Sequence, residues 1–293
     1  MLRLIKNFNK NIHENIAGNR RVFMLYSTLR VLVIISMVRA IFNGNYNGAF
    51  ICLLSLFLFM IPSLMEDGFK IQIPPLFEGI IYLFIFSAEI LGEVNHFYAA
   101  IPGWDTILHT LNGFLAAAVG FSLIDLLNRN SRHVLLSPFY LCLVAFCFSM
   151  TIGVLWEFIE FGADYLFGMD MQKDFILSSL NTVSLDPAHS QNIVSIKDIV
   201  ETRVTTADGS VHIIENGYLD PGIYDTMKDL FVNFIGAIVF SIFGFLTLTH
   251  GKSKEAQNIT SKFIVRAVRD ESTDSNYTFN NNGQFGFDDD NSQ

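Results

Sequence analysis

Charge is scarce in this chain and unevenly placed. Charged residues make up 16% of its 293 positions and are clumped into the ends and a few loops. Cysteine is scarcer still. Cys52, Cys142 and Cys147 all fall inside apolar runs, so they form no extracellular disulfide. Their spacing is not that of zinc ligands either, which leaves packing thiols. About twenty polar residues precede the first apolar run, and no small-residue cleavage pattern follows it, which excludes a signal peptide. Loops 43–48 and 92–104 contain no Lys or Arg.

What is abundant is apolar surface. Half the residues are hydrophobic, 29 of them Phe, well above the content of ordinary soluble domains. The apolar runs are roughly 18 to 24 residues long, the length that crosses about 30 Å of hydrocarbon. They predict an all-α integral membrane protein with six transmembrane helices over 22–42, 49–65, 75–91, 105–127, 136–158 and 227–249. Residues 1–21 form a basic arm, read as an interfacial helix or a solvated tail. The membrane domain covers 22–250, with one long loop at 168–224.

Positive charge biases orientation. Arg3, Lys6, Lys10, Arg20 and Arg21 precede the first span. Lys70 follows the second, Arg129 and Arg132 follow the fourth, and Lys252, Lys254, Lys262, Arg266 and Arg269 follow the sixth. Six spans place all of these on one side, so both termini are expected in the cytoplasm and 168–224 outside. The net charge of −9 lies mainly in the outer loop and the last tail and points to no nucleic-acid partner. In the loop, β-rich arms flank Asp208–Gly209, a turn signal that predicts a small hairpin. The loop has too few apolar residues for a core of its own and reads as a lid or cap. The tail 251–293 is rich in Asn and Asp and reads as disordered.

Three ionisable pairs sit at helical spacing where spans meet the outer side: Asp105 with His109, Glu157 with Glu160, and Asp225 with Asp229. Each pair shares one helix face, and ionisable groups at membrane depth mark functional sites by default. Asn112 and Gly113 continue the first stripe; Asn233 and Gly236 continue the third. WDTILH and YDTMKD begin alike and form a candidate internal repeat. Carboxylates with one imidazole suit a divalent cation, Mg²⁺ or Mn²⁺ by oxygen, Zn²⁺ with help from His109. The same groups also suit an acid–base set with separated pKa values, or simply residence in the headgroup layer. Elsewhere, Arg39 is expected to pair with Glu89 or to hold a lipid phosphate with its fork. Arg30, about 12 Å into its span by helical rise, needs a partner such as Glu78. Asp125 and Arg129 form a helix pair.

WDTILHTLNGF, GVLWEFIEFGADYLFGMDMQ and YDTMKDLFVNFIGA resemble the YjdF-like family of bacterial inner-membrane proteins, a family of unknown function. They are more distantly similar to VanZ-like membrane proteins. The resemblance spans roughly 85–250 and marks Asp105, His109, Glu157, Glu160, Asp225, Asp229 and Gly236. It implies the fold and the positions, and no reaction.

Three functional classes follow. In a metal-assisted hydrolase or transferase on a lipid-linked or cell-envelope substrate, Asp105, His109, Glu157, Glu160, Asp225 and Asp229 are the ligand candidates. His109, Glu157 and Asp229 are its catalytic candidates, and Arg39 and Asn233 its substrate contacts. A transporter or ion-binding protein would use the same carboxylates for protons or cations. A structural or regulatory protein would use them to lock helices. Membrane lipids are partners in all three.

Overall fold

A computed structural model describes residues 20–69, 71–130, 136–250, 263, 266–267, 277–279 and 285–287. Among the described residues, six helices are long and apolar enough to cross a membrane, as the apolar runs require. Helix α1 spans Arg20–Phe42. The second crossing, Tyr46–Gly68, is broken: α2 (Tyr46–Leu58) stops and α3 (Ile61–Phe69) begins afresh. Pro62 is the cause, since it has no N–H for the carbonyl one turn back and its ring crowds that carbonyl.

After a two-residue strand, β1 (Ile71–Gln72), the third crossing begins as α4 (Pro75–Ile85) and widens into a π-helical segment at Phe86–Val94. Its last turn closes through the Asn95 amide, which donates to the Ile90 carbonyl five residues back. A short helix α5 (Phe97–Ala100) leads to the long helices α6 (Trp104–Asn130), α7 (Pro138–Phe167) and α8 (Ile223–His250).

Helix α7 corrects the expected end of the fifth span at residue 158. It runs nine residues further, through Phe158, Ile159, Phe161, Tyr165, Leu166 and Phe167, which are apolar and exposed. It stops where Gly168 takes φ +62, the left-handed conformation that ends many helices. Glu157 and Glu160 are therefore interior residues of the helix.

By compactness the chain divides into residues 1–151 with 233–293, and residues 152–232. In the first unit, Leu29, Val33, Cys52, Phe59, Tyr82, Ile85 and Ile90 form one buried cluster. A second is built around Phe77, Ala117, Ala118, Phe121, Ala145, Ala237 and Phe240. Small residues bring backbones together here. A Cβ on Gly113 would stand 2.0 Å from the Asn233 carbonyl, and one on Gly236 would stand 2.0 Å from the Thr110 carbonyl. Without a hydrophobic force between helices in lipid, such close approach is what holds them. Cys52 and Cys142 pack in the interior, whereas Cys147 is exposed.

The second unit holds the long loop. It forms three antiparallel pairs: β2 (Phe175–Leu177) with β7 (Tyr218–Asp220), β3 (Leu180–Thr182) with β4 (Val194–Ile196), and β5 (Glu201–Thr205) with β6 (Val211–Glu215). The β5–β6 pair is the hairpin that Asp208–Gly209 predicts. Gly209 has φ +89, and Asp208 accepts hydrogen bonds from the Ser210 amide and the Thr206 hydroxyl. A second turn is organised by Asp186, which accepts from the Ala188, Ser190 and Asn192 amides.

Most of the basic arm and of the C-terminal tail lies outside the described residues. Within the tail, Tyr277–Phe279 pairs with Phe285–Phe287, and Arg266–Ala267 pairs with Ile71–Gln72. β-prone aromatic residues stand at the ends of the first pair.

Candidate functional site

The first unit carries Asp105 and His109 on the opening turns of α6. Their side chains meet, with His109 Nε2 3.3 Å from Asp105 Oδ1, as the four-residue spacing requires. Asp105 lies in the first helical turn, where the macrodipole favours a carboxylate. Trp104 steadies this entry: its indole N–H donates to the Ser87 carbonyl, and its ring meets Phe97 edge-on.

Two turns deeper, Asn112 donates to Asn233 Oδ1 at 3.0 Å. The Asn233 amide group also faces the Ser149 carbonyl at 3.5 Å, and Ser149 donates to the Gly113 carbonyl at 2.8 Å. Asn233 is fully buried and tied to residues of α6 and α7. Its side chain is engaged in helix-to-helix bonds. Polar groups buried in hydrocarbon must find internal partners, and this amide has done so.

The second unit carries the other two pairs. Glu157, Glu160, Asp225 and Asp229 are all buried, at 4%, 8%, 4% and 1% exposure. Glu160 lies within electrostatic range of the other three and accepts from the Trp156 indole at 2.8 Å. The two sequence pairs of this unit are thus one group. Lys228 joins it, with Nζ 3.6 Å from Asp225 and 3.5 Å from Asp229. Its ammonium nitrogen lies 5.9 Å from the centre of the Phe175 ring, which in turn meets Tyr224.

The chain after α7 is fastened to these helix ends. Asp164 accepts the Met171 and Gln172 amides, the Gln172 side chain donates to the Thr226 hydroxyl, and Asp225 Oδ2 accepts the Lys173 amide. Asp220 caps α8 by accepting the Tyr224 amide. Asp225 is therefore both a member of the acidic group and a loop anchor.

Sequence reasoning missed four members of this unit: Lys228, Asp164, Gln172 and Thr226. Lys228 was legible, since it stands three residues after Asp225 inside YDTMKD and so shares its helix face. Gln172 was not, because it folds back from a loop.

Arg39 and Glu89 do not pair. Arg39 is exposed while Glu89 is buried, and among the described residues no ion pair joins them. Arg30 donates to the Tyr26 hydroxyl at 2.7 Å, and Glu78 accepts from the Tyr82 hydroxyl at 2.8 Å; the two tyrosine rings lie 5.0 Å apart. Asp125 is buried, and the side chain of its expected partner Arg129 lies outside the described residues.

Residues 24–250 match the family described as "Predicted membrane protein (DUF2238)". Comparison with curated proteins returned no match, and neither did comparison with solved structures. The match covers most of the chain, and the chain belongs to that family.

Proposed function

We propose that this member of the DUF2238 family binds a divalent cation at the carboxylates of α7 and α8. We propose further that it acts as a metal-assisted hydrolase or transferase on a lipid-linked or cell-envelope substrate, at the outer leaflet of a bacterial cytoplasmic membrane with both termini inside. The observation that carries this reading is the buried group of Glu157, Glu160, Asp225 and Asp229 on two helices of one unit.

Carboxylate oxygens are hard donors and fit Mg²⁺ or Mn²⁺, and an imidazole widens the choice to Zn²⁺. Asp105 and His109 are the ligand candidates of the first unit, and Asp229 belongs to the acidic group of the second. Bound there, the cation supplies Lewis-acid polarisation and a more acidic water. In the proposed division of labour, Glu157 and Asp229 accept protons, and His109 exchanges them. Asp105 orients the imidazole through Nε2. Arg39, exposed and without an ion pair to Glu89, offers its planar fork to a phosphate of the substrate or of a neighbouring lipid. Asn233 serves by fixing the helices.

A transporter is the rival reading, favoured by the Arg30, Tyr26, Tyr82 and Glu78 contacts inside the first unit. The experiment is metal analysis of purified protein, wild type against His109→Ala and Asp229→Asn. Stoichiometric Mg²⁺, Mn²⁺ or Zn²⁺ that falls in both variants supports the cation site. A metal-free wild type that also fails to bind added cations overturns it. Ion flux in proteoliposomes without hydrolysis would move the assignment to transport.

A further inference from the structure

The first unit holds a buried carboxyl that the proposed cation site does not use. Glu89 lies on the π-helical segment and is 3% exposed. Among the described residues nothing hydrogen-bonds to its Oε2. The cation that spacing offered it, Arg39, is exposed and stays apart. Helices α1, α2, α4, α5 and α6 pack against this segment, and the outer half of α4 carries Tyr82, whose hydroxyl donates to Glu78. The ionisable groups on the outer halves of those elements, and on the segment itself, can be named. Glu93 is half-buried on the same segment and acts on Glu89 as a like charge. Cys52 is a thiol of α2 within electrostatic range. Tyr98 of α5 is seated against Gly92, where a Cβ would stand 2.3 Å from its ring. Asp105 and His109 of α6 face one another. Apart from Arg39, which stands in the last turn of α1 and among the described residues forms no ion pair with Glu89, none of these is a lysine or arginine.

An ionised carboxylate taken out of water without a cation carries a cost of several kcal/mol. A neutral carboxylic acid does not, and π-helical turns in long helices recur at functional sites.

We propose that Glu89 is a proton-binding site inside the membrane, occupied in the resting protein. Glu93, one turn nearer the aqueous end and half-buried, is the group through which that proton reaches water. His96 stands exposed three residues beyond. The exchange is a simple transfer: the Glu89 O–H bond breaks, its electron pair stays on the carboxylate, and the proton passes to Glu93 or a water.

Two measurements test this in lipid nanodiscs at neutral pH. A hydrophobic carbodiimide adds only to a protonated carboxyl, so peptide mass spectrometry of the wild type should find the acylurea on Glu89. A water-soluble carbodiimide should leave Glu89 unmodified. Infrared spectroscopy should show a protonated-carboxyl C=O band that is lost in Glu89→Gln and retained in Glu93→Gln. Wild-type protein with neither the adduct nor the band overturns the proposal, whether or not the variants fold. A Na⁺-dependent stabilisation that Glu89→Gln abolishes would overturn it differently, by putting a metal cation in place of the proton. Neither result depends on divalent metal at the other site.

Discussion

Asn112 and Asn233 join their side-chain amides at 3.0 Å, next to the point where Gly113 on α6 meets the backbone of Asn233. The amide bond and the missing side chain act together: Gly113 permits the approach, and the approach puts the amides in reach. Gly113→Ala and Gly236→Ala should each destabilise the protein, because the new methyl meets a carbonyl oxygen and not a flexible side chain. Overpacking of this kind costs about 1–3 kcal/mol. Asn112→Ala should cost less, ~1 kcal/mol, the scale of an interhelical hydrogen bond in lipid. Thermal unfolding in detergent measures all three. An alanine at Gly113 that leaves the melting temperature unchanged would show that the helices do not meet there.

Lys228 is the built-in countercharge of the acidic group, reaching Asp225 and Asp229. Lys228→Met keeps much of the apolar stem and removes the charge. It should lower stability by ~1–3 kcal/mol, more than an exposed pair and less than a fully buried one. It should also tighten binding of an added divalent cation, since the carboxylates lose their competitor. Calorimetric titration with Mn²⁺ reads this directly. Weaker Mn²⁺ binding in Lys228→Met would argue that the lysine supports a substrate and not the charge balance.

The six crossings were legible because hydrocarbon thickness imposes a length that composition reveals, and the hairpin at Asp208 was legible because turn chemistry is local. The break at Pro62 and the extra turns of α7 were not read, although Pro62 and the apolar residues 158–167 were in view. The error was to end a span at its first charges, when only one face of the helix had turned polar. The Arg39–Glu89 pair failed for a different reason: spacing along two helices says nothing about their rotation. Lys228 went unweighed because a positive charge next to acids reads as solvation until its neighbours are seen to be buried.

The orientation argued from Lys and Arg has a plain consequence. Reporter fusions after Arg132 and in the C-terminal tail should read cytoplasmic, and a fusion at Asp208 should read external. A cytoplasmic signal at Asp208 would move the acidic group, and any substrate with it, to the other leaflet.

Loop acids outside the membrane spans give a pH dependence whose sign differs from residue to residue. Hydrogen bonds from Thr206 and Ser210 hold the Asp208 carboxyl down at about 2. Those from the Asn192 and Ala188 amides and from Ser190 lower Asp186. A carboxyl held below its unfolded value, near 4 for Asp, favours the folded turn above that value. The benefit is lost as pH falls towards the folded value. Asp174 runs the other way. It is exposed, yet slight desolvation by its neighbours, with Asp170, Asp164 and Asp220 nearby, raises its carboxyl, so its contribution is present at low pH and fades as pH rises through the folded value. The β5–β6 turn and the 183–192 turn should therefore loosen between about pH 4 and pH 2, while the segment around Asp174 does not. Hydrogen exchange of the Ser210 and Asn192 amides should accelerate in that window relative to intrinsic rates, and Asp208→Asn should remove the pH dependence at Ser210 alone. Equal protection of Ser210 at pH 5 and pH 2 would mean that Asp208 does not hold the turn.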